Sequence, residues 1–288
     1  MTLKKLFAAS AAASLMALAA CSGGTDTKTQ TPKPDSAAKA AVTLADVLAH
    51  PRRAENAARD QFRNPKETLE FFEVGPGKKV GEIWPGWYTP IVAPYLAEND
   101  GTYVAVLRQG EGERTLTRNA AFTDKYVGAD GFGTIEVAKF GNEDTPILET
   151  GDLDVLMSFR NVHSWMRGGY SDKAFADFYA ALKPGGILGI VQHRLPESAT
   201  QDPDGGTGYV QESYMKDLAK RAGFEFVASS EVNANPRDTA DHPFGVWTLP
   251  PASYVPKDAK EIPEDFDAEL FKNIGESDRA TLKFRKPL

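Results

Sequence analysis

The 288-residue chain contains one cysteine, Cys21. A disulfide framework, a thiol nucleophile within a folded domain and any cysteine-ligated metal are therefore excluded at once. Nor is there an excess of positive charge. Lys and Arg number 33 against 40 Asp and Glu, for a formal net charge of −7, and the two signs are interspersed. With no basic stripe to meet phosphates, no nucleic-acid partner is expected. No Gly-x-Ser-x-Gly elbow and no phosphate-cradling loop ending in Gly-Lys-Ser/Thr occurs, so serine-hydrolase and nucleoside-triphosphatase chemistry have no foothold. His163, His193, His242 and Asp238 do not fall at a ligand spacing such as His-x-x-x-His, and no metal is expected.

Long apolar runs are scarce too. The run from Leu6 to Ala20, behind Lys4 and Lys5, is uncharged and alanine-rich. It is too short to span a bilayer but long enough for a signal-peptide core. It ends in Leu18-Ala19-Ala20-Cys21, followed by Ser22-Gly23-Gly24. Small residues before a lone cysteine match the bacterial lipobox, so residues 1–20 read as a lipoprotein signal and Cys21 as the lipidated residue. The alternative is an ordinary signal peptide with an accidental cysteine. Residues 21–41 lack large apolar side chains and read as a tether. The expectation is a domain at 42–288, anchored to a bacterial membrane through acylated Cys21 and facing the periplasm.

That domain alternates strands and helices. Apolar segments at 79–84, 101–107, 134–140, 154–159, 187–191, 224–232 and 280–285 read as strands. Between them, Tyr88–Leu96, Phe175–Leu182 and Tyr209–Ala222 carry helical spacing, and 109–133 holds one more helix. A helical region from Leu44 to Phe72 precedes the first strand, and a Pro-, Asn- and Asp-rich insertion fills 233–278. Nearly continuous apolar strands alternating with helices imply an α/β fold whose mainly parallel sheet is covered on both faces.

Three stretches carry a family resemblance. They are Val80-Gly81-Glu82-Ile83-Trp84-Pro85-Gly86, Asp154-Val155-Leu156-Met157-Ser158-Phe159-Arg160-Asn161-Val162-His163, and Ala181-Leu182-Lys183-Pro184-Gly185-Gly186-Ile187-Leu188-Gly189-Ile190-Val191. In this order they resemble the first, fourth and fifth strand motifs of class I S-adenosylmethionine-dependent methyltransferases. Phe-Arg-Asn-Val and Leu-Lys-Pro-Gly-Gly are most similar to quinone-biosynthesis C-methyltransferases. With Asn235-Pro236-Arg237-Asp238, Gly245 to Pro251 and Ile274 to Arg279, the chain resembles a group of bacterial predicted methyltransferases of unassigned substrate.

The resemblance implies a doubly wound, Rossmann-type seven-stranded sheet with an antiparallel last strand, S-adenosylmethionine as cofactor, and a small acceptor, for which aromatic and quinone-like molecules are candidates. It implies that Glu82, Gly86, Glu143, Arg160 and Asn161 hold the cofactor. His163 and His193, just past two strand ends, are the candidate general bases. Arg194, Asn235, Asp238 and His242 are candidate substrate contacts, although a loop of Asx turns packed by Trp247 and Pro250 accounts for the last three as well. The chain departs from the family in two places. Its first loop keeps only Gly86, followed by Trp87, whose indole can close the cofactor site. Arg108 also stands where the second strand should end in a ribose-binding acid. A second reading therefore stays open, a cofactor-less envelope lipoprotein that binds ligands or partners.

Overall fold

Alternation along the strands shows why the sheet is covered twice. In β2 (Thr102–Arg108), Tyr103, Ala105 and Leu107 pack into one apolar cluster, while Val104 and Val106 pack into another. β4 (Leu153–Phe159) does the same, with Val155 and Met157 on one face and Leu156 on the other. A strand buried on both faces belongs inside an α/β sandwich. These features come from a computed structural model, which describes residues 41–149 and 151–288. The expected signal segment, Cys21 and the tether up to residue 40 lie outside the described residues.

The sheet has seven strands, as expected, and their order is β3-β2-β1-β4-β5-β7-β6. The remaining strands are β1 (Lys79–Ile83), β3 (Ile135–Phe140), β5 (Leu182–His193), β6 (Glu225–Ser230) and β7 (Arg279–Arg285). All pairs are parallel except those of β7, which runs antiparallel to β5 and β6. The chain lays strands outward from β1 on one side and then returns to start β4 on the other. That reversal opens a crevice beyond the carboxyl ends of β1 and β4, where ligands bind in folds of this kind.

The face carrying Val155 and Met157 is covered by α1 (Leu44–Leu48), α3 (Pro65–Phe71) and α4 (Thr89–Glu98). α1 starts at a capping box in which Thr43 and Asp46 satisfy each other's backbone N–H. α4 tolerates Pro90 because a first-turn residue needs no donor. Phe72, at the end of α3, lies flat on Gly189 of β5. A Cβ there would come within 2.5 Å of the Phe72 ring, so only glycine allows the contact. The opposite face carries α6 (Val162–Arg167), α7 (Ser171–Ala181) and α8 (Glu212–Ala222). The 109–133 region holds its one helix, α5, at Glu113–Tyr126.

Three starts differ from expectation by three residues or more, one of them α7, which begins at Ser171 rather than Phe175. β5 begins at Leu182 rather than Ile187, because the Lys-Pro-Gly-Gly run stays in the sheet: Gly185 N–H and Gly186 O bond to Lys286 O and N–H. α8 starts at Glu212 rather than Tyr209, because Val210 bonds across to His193 O and Leu195 N–H. Between β6 and β7, the insertion folds through a 3-10 turn at Gly245–Thr248 and a short helix, α9 (Ala268–Ile274). Its first stretch is built on Asx turns, with Asn235 accepting from Arg237 N–H and Asp238 from Ala240 N–H. No helix among the described residues is long and apolar enough to cross a membrane.

Candidate functional site

Beyond β1, β4 and β5 lies a crevice of about 440 Å³. The strand ends supply Trp84, Arg160, Asn161, His163 and His193. The insertion closes over them with Val246, Trp247 and Leu249, and the segment entering β7 adds Glu276, Ser277 and Arg279. A larger hollow, about 730 Å³, lies beside α9 and takes no residue from a strand end. The crevice is therefore the candidate site.

Two strand ends turn sharply to form it. Trp84 donates its N–H to Val106 O and then leaves β1 at φ +50°. Arg160 donates to Val191 O and leaves β4 at φ +64°. Left-handed backbone at a non-glycine residue costs about 1–3 kcal/mol, and it persists where surrounding structure over-determines it. Asn161 ties the two ends together, its amide donating to Ile83 O and to Ser158 Oγ at 3.2 Å.

The acid of the first motif is turned away from the opening. Glu82 is 3% exposed. It accepts from Tyr103 OH at 2.6 Å and from Gly86 N–H at 3.3 Å. Burial raises its carboxyl to about 7, against the hydrogen bonds from Tyr103 and Gly86. Glu82 thus braces the first loop from behind. Gly86 itself is open, with nothing within 4 Å of where a Cβ would stand. Glu143 sits in an exposed loop after β3, away from the crevice lining.

The two histidines are brought together, with ring centroids 6.0 Å apart. Their hydrogen bonds give them different abilities. Gln192 accepts Val162 N–H through Oε1, so Nε2 is its donor end, and it bonds to Gly208 O at 2.8 Å and to His163 Nδ1 at 3.2 Å. His163 Nδ1 is thereby an acceptor, and the proton of the neutral ring rests on Nε2. Burial and Arg167 push this histidine down to about 4. It faces a ligand as a neutral donor rather than as a base. His193 bonds through Nδ1 to Ser277 Oγ at 2.5 Å. Burial, then His163 and nearby arginines, hold it well below the ordinary histidine range. It stays neutral, and because the Ser277 hydroxyl can donate or accept, this bond does not fix which ring nitrogen carries the proton.

Of the expected substrate contacts, none lines the crevice. Arg194 is pinned by Asp278, Glu231 and Glu212. Asn235 donates to the carbonyls of Ile274 and Glu276. Asp238 gathers Tyr209 OH, His242 Nε2 and the backbone N–H groups of Ala240 and Asp278. These residues fold the insertion and fix the entry to β7, as the Asx-turn reading holds. Among the described residues, no group of three or more His, Cys, Asp or Glu is placed to hold a metal ion.

Trp87 and Trp84 both line the crevice, and Trp84 lies over the ends of β2 and β3. Its Nε1 donates to Phe140 O at the end of β3, and Arg108, at the end of β2, stacks on its face 3.6 Å from the ring centroid. Trp87 is instead capped by Arg53 and Arg63.

Comparison with known proteins bears on the fold. No family model matches the chain, and no curated relative does. Solved structures do match. A SAM-dependent methyltransferase from Aquifex aeolicus is 18% identical, over 67% of this chain and 94% of its own, with a TM-score of 0.48. A candidate sarcosine dimethylglycine methyltransferase from Galdieria sulphuraria is 14% identical, over 86% and 92%, with a TM-score of 0.50. The fold is the class I methyltransferase fold. Identities this low speak for the fold alone, and activity has to be argued from the site.

Within that fold, Arg59, Arg63 and Glu276 were missed as site residues. Glu276 and Arg279 lie in a run noted only for its resemblance. Arg59 and Arg63 are four apart in a helical segment, and that spacing was the one available signal that they share a face. Burial lowers Arg63 and Arg108 to about 10. Arg160 falls to about 9, through burial and then Arg63 and Arg279.

Proposed function

We propose that the chain is an S-adenosylmethionine-dependent methyltransferase whose small acceptor binds in the crevice beyond β1, β4 and β5. The observation that carries this reading is the junction of fold and site. The sheet reverses at β1/β4, and Asn161 and two neutral histidines meet there, next to the exposed turn at Gly86. When bound, the donor supplies an electrophilic methyl group on a sulfonium centre. On the protein's side, Gly86 leaves backbone accessible, and Asn161 Oδ1 is at hand for the donor's amino-acid end. His163 Nε2–H can orient an acceptor oxygen or carbonyl, and His193 can take the proton that the acceptor sheds. Trp247, edge-on to His163 with centroids 5.9 Å apart, offers an aromatic wall against the acceptor.

The residues fit the donor's amino-acid end better than its adenosyl end. Trp84 and Arg108 lie over the ends of β2 and β3, and no carboxylate there meets a ribose. That observation favours a second reading, in which the crevice binds its ligand without the donor. Calorimetry of the full chain and of Trp84→Ala with S-adenosylmethionine and S-adenosylhomocysteine separates the two. Under the first reading the wild type binds S-adenosylhomocysteine, and Trp84→Ala binds it at least as well. No binding by either folded protein leaves only the second.

We also propose that the protein acts at the bacterial envelope, lipidated at Cys21, on the strength of the Leu18-Ala19-Ala20-Cys21 pattern. Cys21→Ser should abolish incorporation of labelled palmitate and release the chain from membranes. Labelling that survives in the variant would refute the assignment. An exported domain lies outside the cytoplasm, where the donor is made, so the calorimetric result bears on both halves of the reading.

A further inference from the structure

The crevice contains more cations than it can pair. Arg59, Arg63, Arg160 and Arg279 all converge on one carboxylate, Glu276, at 2.6, 3.0, 3.9 and 2.5 Å. Glu82 is committed to Tyr103 and Gly86, and Asp60 pairs with Arg53. No other carboxylate lines the crevice. Donors are left over as a result. Arg63 is 2% exposed, and its Nη1 is buried without a hydrogen-bond partner. Arg59 Nη2 is likewise buried and unpaired. Arg160 makes no side-chain hydrogen bond among the described residues, and its tie to Glu276 is a 3.9 Å ion pair.

A buried guanidinium nitrogen without an acceptor is costly, and like charges gathered in a low-dielectric pocket repel. Both conditions are met by one missing partner, an anion. A guanidinium presents a planar fork of N–H groups that matches the paired oxygens of a carboxylate or the edge of a phosphate. The neighbouring wall is aromatic and apolar, made by Phe159, Val246 and Trp247.

We propose that the acceptor taken by this crevice is an acidic small molecule, its carboxylate or phosphate seated on Arg63 and Arg160 and its body against Trp247. This inference rests on the crevice being the acceptor site and is independent of whether the donor binds.

The test is a titration of the full chain with benzoate, phenyl phosphate and the neutral isostere benzamide, at low and high salt. The charged probes should bind about tenfold or more tightly than benzamide, the margin of a good charge-assisted pair, and lose that margin as salt rises. Which charged probe binds better identifies the anionic group. Arg160→Gln should abolish the preference while the protein melts no lower than the wild type. Arg63→Gln serves as a second variant, read by the same ratio if it folds.

Repeating the benzoate titration in saturating S-adenosylhomocysteine separates two sources of carboxylate. Unchanged affinity supports an acidic acceptor. Displacement would mean that the arginines read the donor's own carboxylate, and would overturn the assignment. Equal binding of benzoate and benzamide, binding of neither by folded protein, or a preference that survives Arg160→Gln would overturn it as well. A chain that binds benzoate but no S-adenosyl compound keeps this inference and loses methyl transfer.

Discussion

Glu276 and Asp278 are two residues apart, and arginine holds each of them, yet the clusters around them have opposite proportions. Glu276, in the crevice, is shared by Arg59, Arg63, Arg160 and Arg279. Asp278, outside it, shares a single Arg194 with Glu231 and Glu212. In the outer cluster the guanidinium is saturated, with bidentate bonds to Glu231 and to Asp278. In the inner one, guanidinium nitrogens remain unpaired in a buried wall. A cluster that only fixes the fold satisfies its own donors. One that leaves them open is suited to receive something from outside.

The sharpest break in that comparison is removal of the one inner carboxylate. Glu276→Gln would leave buried arginines facing one another with no counter-charge. Removing one partner of a buried pair costs about 3–5 kcal/mol. Denaturant unfolding should show a loss of that size, large enough to leave much of the protein unfolded at 37 °C. A loss under about 1 kcal/mol would mean that the inner cluster is already screened by water.

Glu82 sharpens the contrast through pH, because Arg160 is among the charges that act on it. Its carboxyl is raised to about 7 in the folded protein from an ordinary value of 4.5. The stabilisation tied to its bound proton is therefore fully present below about pH 4.5 and is lost as pH rises through 7. At 1.36 kcal/mol per unit, the loss reaches about 3 kcal/mol. Glu82→Gln, which stays neutral, should be more stable than wild type at pH 8 and close to it at pH 5. Parallel stability curves for the two proteins would show that folding leaves the proton affinity of this carboxyl unchanged.

Much of the scaffold was legible in the chain, because burial on two faces leaves apolar runs such as Val155-Leu156-Met157 that need no partner to be recognised. The antiparallel β7 and the crevice residues Arg160 and Asn161 came through motifs, as did Glu82 and Gly86 of the first loop beside them. The inner cluster did not. Arg63 meets Glu276 across 213 positions of sequence. Its helix, α2 (Asp60–Arg63), is a single turn ended by Asn64 at φ +37°, too short to show a periodicity. Asn235, Asp238 and His242 lie outside the crevice, although His242 lines the hollow beside α9: polar residues crowd wherever a long loop must satisfy its own backbone.

Arg194 is the control for the outer cluster. Arg194→Met should cost about 1.5–3 kcal/mol, the range for hydrogen bonds to charged groups. It should leave benzoate binding unchanged, since Arg194 does not line the crevice. A variant that loses the anion along with the stability would show that the two clusters are one device.

The smallest effect carries the opposite sign. Arg160 sits 24% exposed with one long ion pair, and repulsion from Arg63 and Arg279 adds to burial in lowering it to about 9. Without a ligand, its charge opposes folding, so neutralising it relieves a strain that function imposes. Arg160→Gln should raise unfolding stability by about 0.5–2 kcal/mol, in the range of other substitutions that trade function for stability. Saturating benzoate should then reverse the ranking, because the anion stabilises only the protein that binds it. If Arg160→Gln and Arg194→Met both lower stability to the same extent, with or without the anion, Arg160 is a structural arginine like its outer counterpart and the inner cluster has no vacancy to fill.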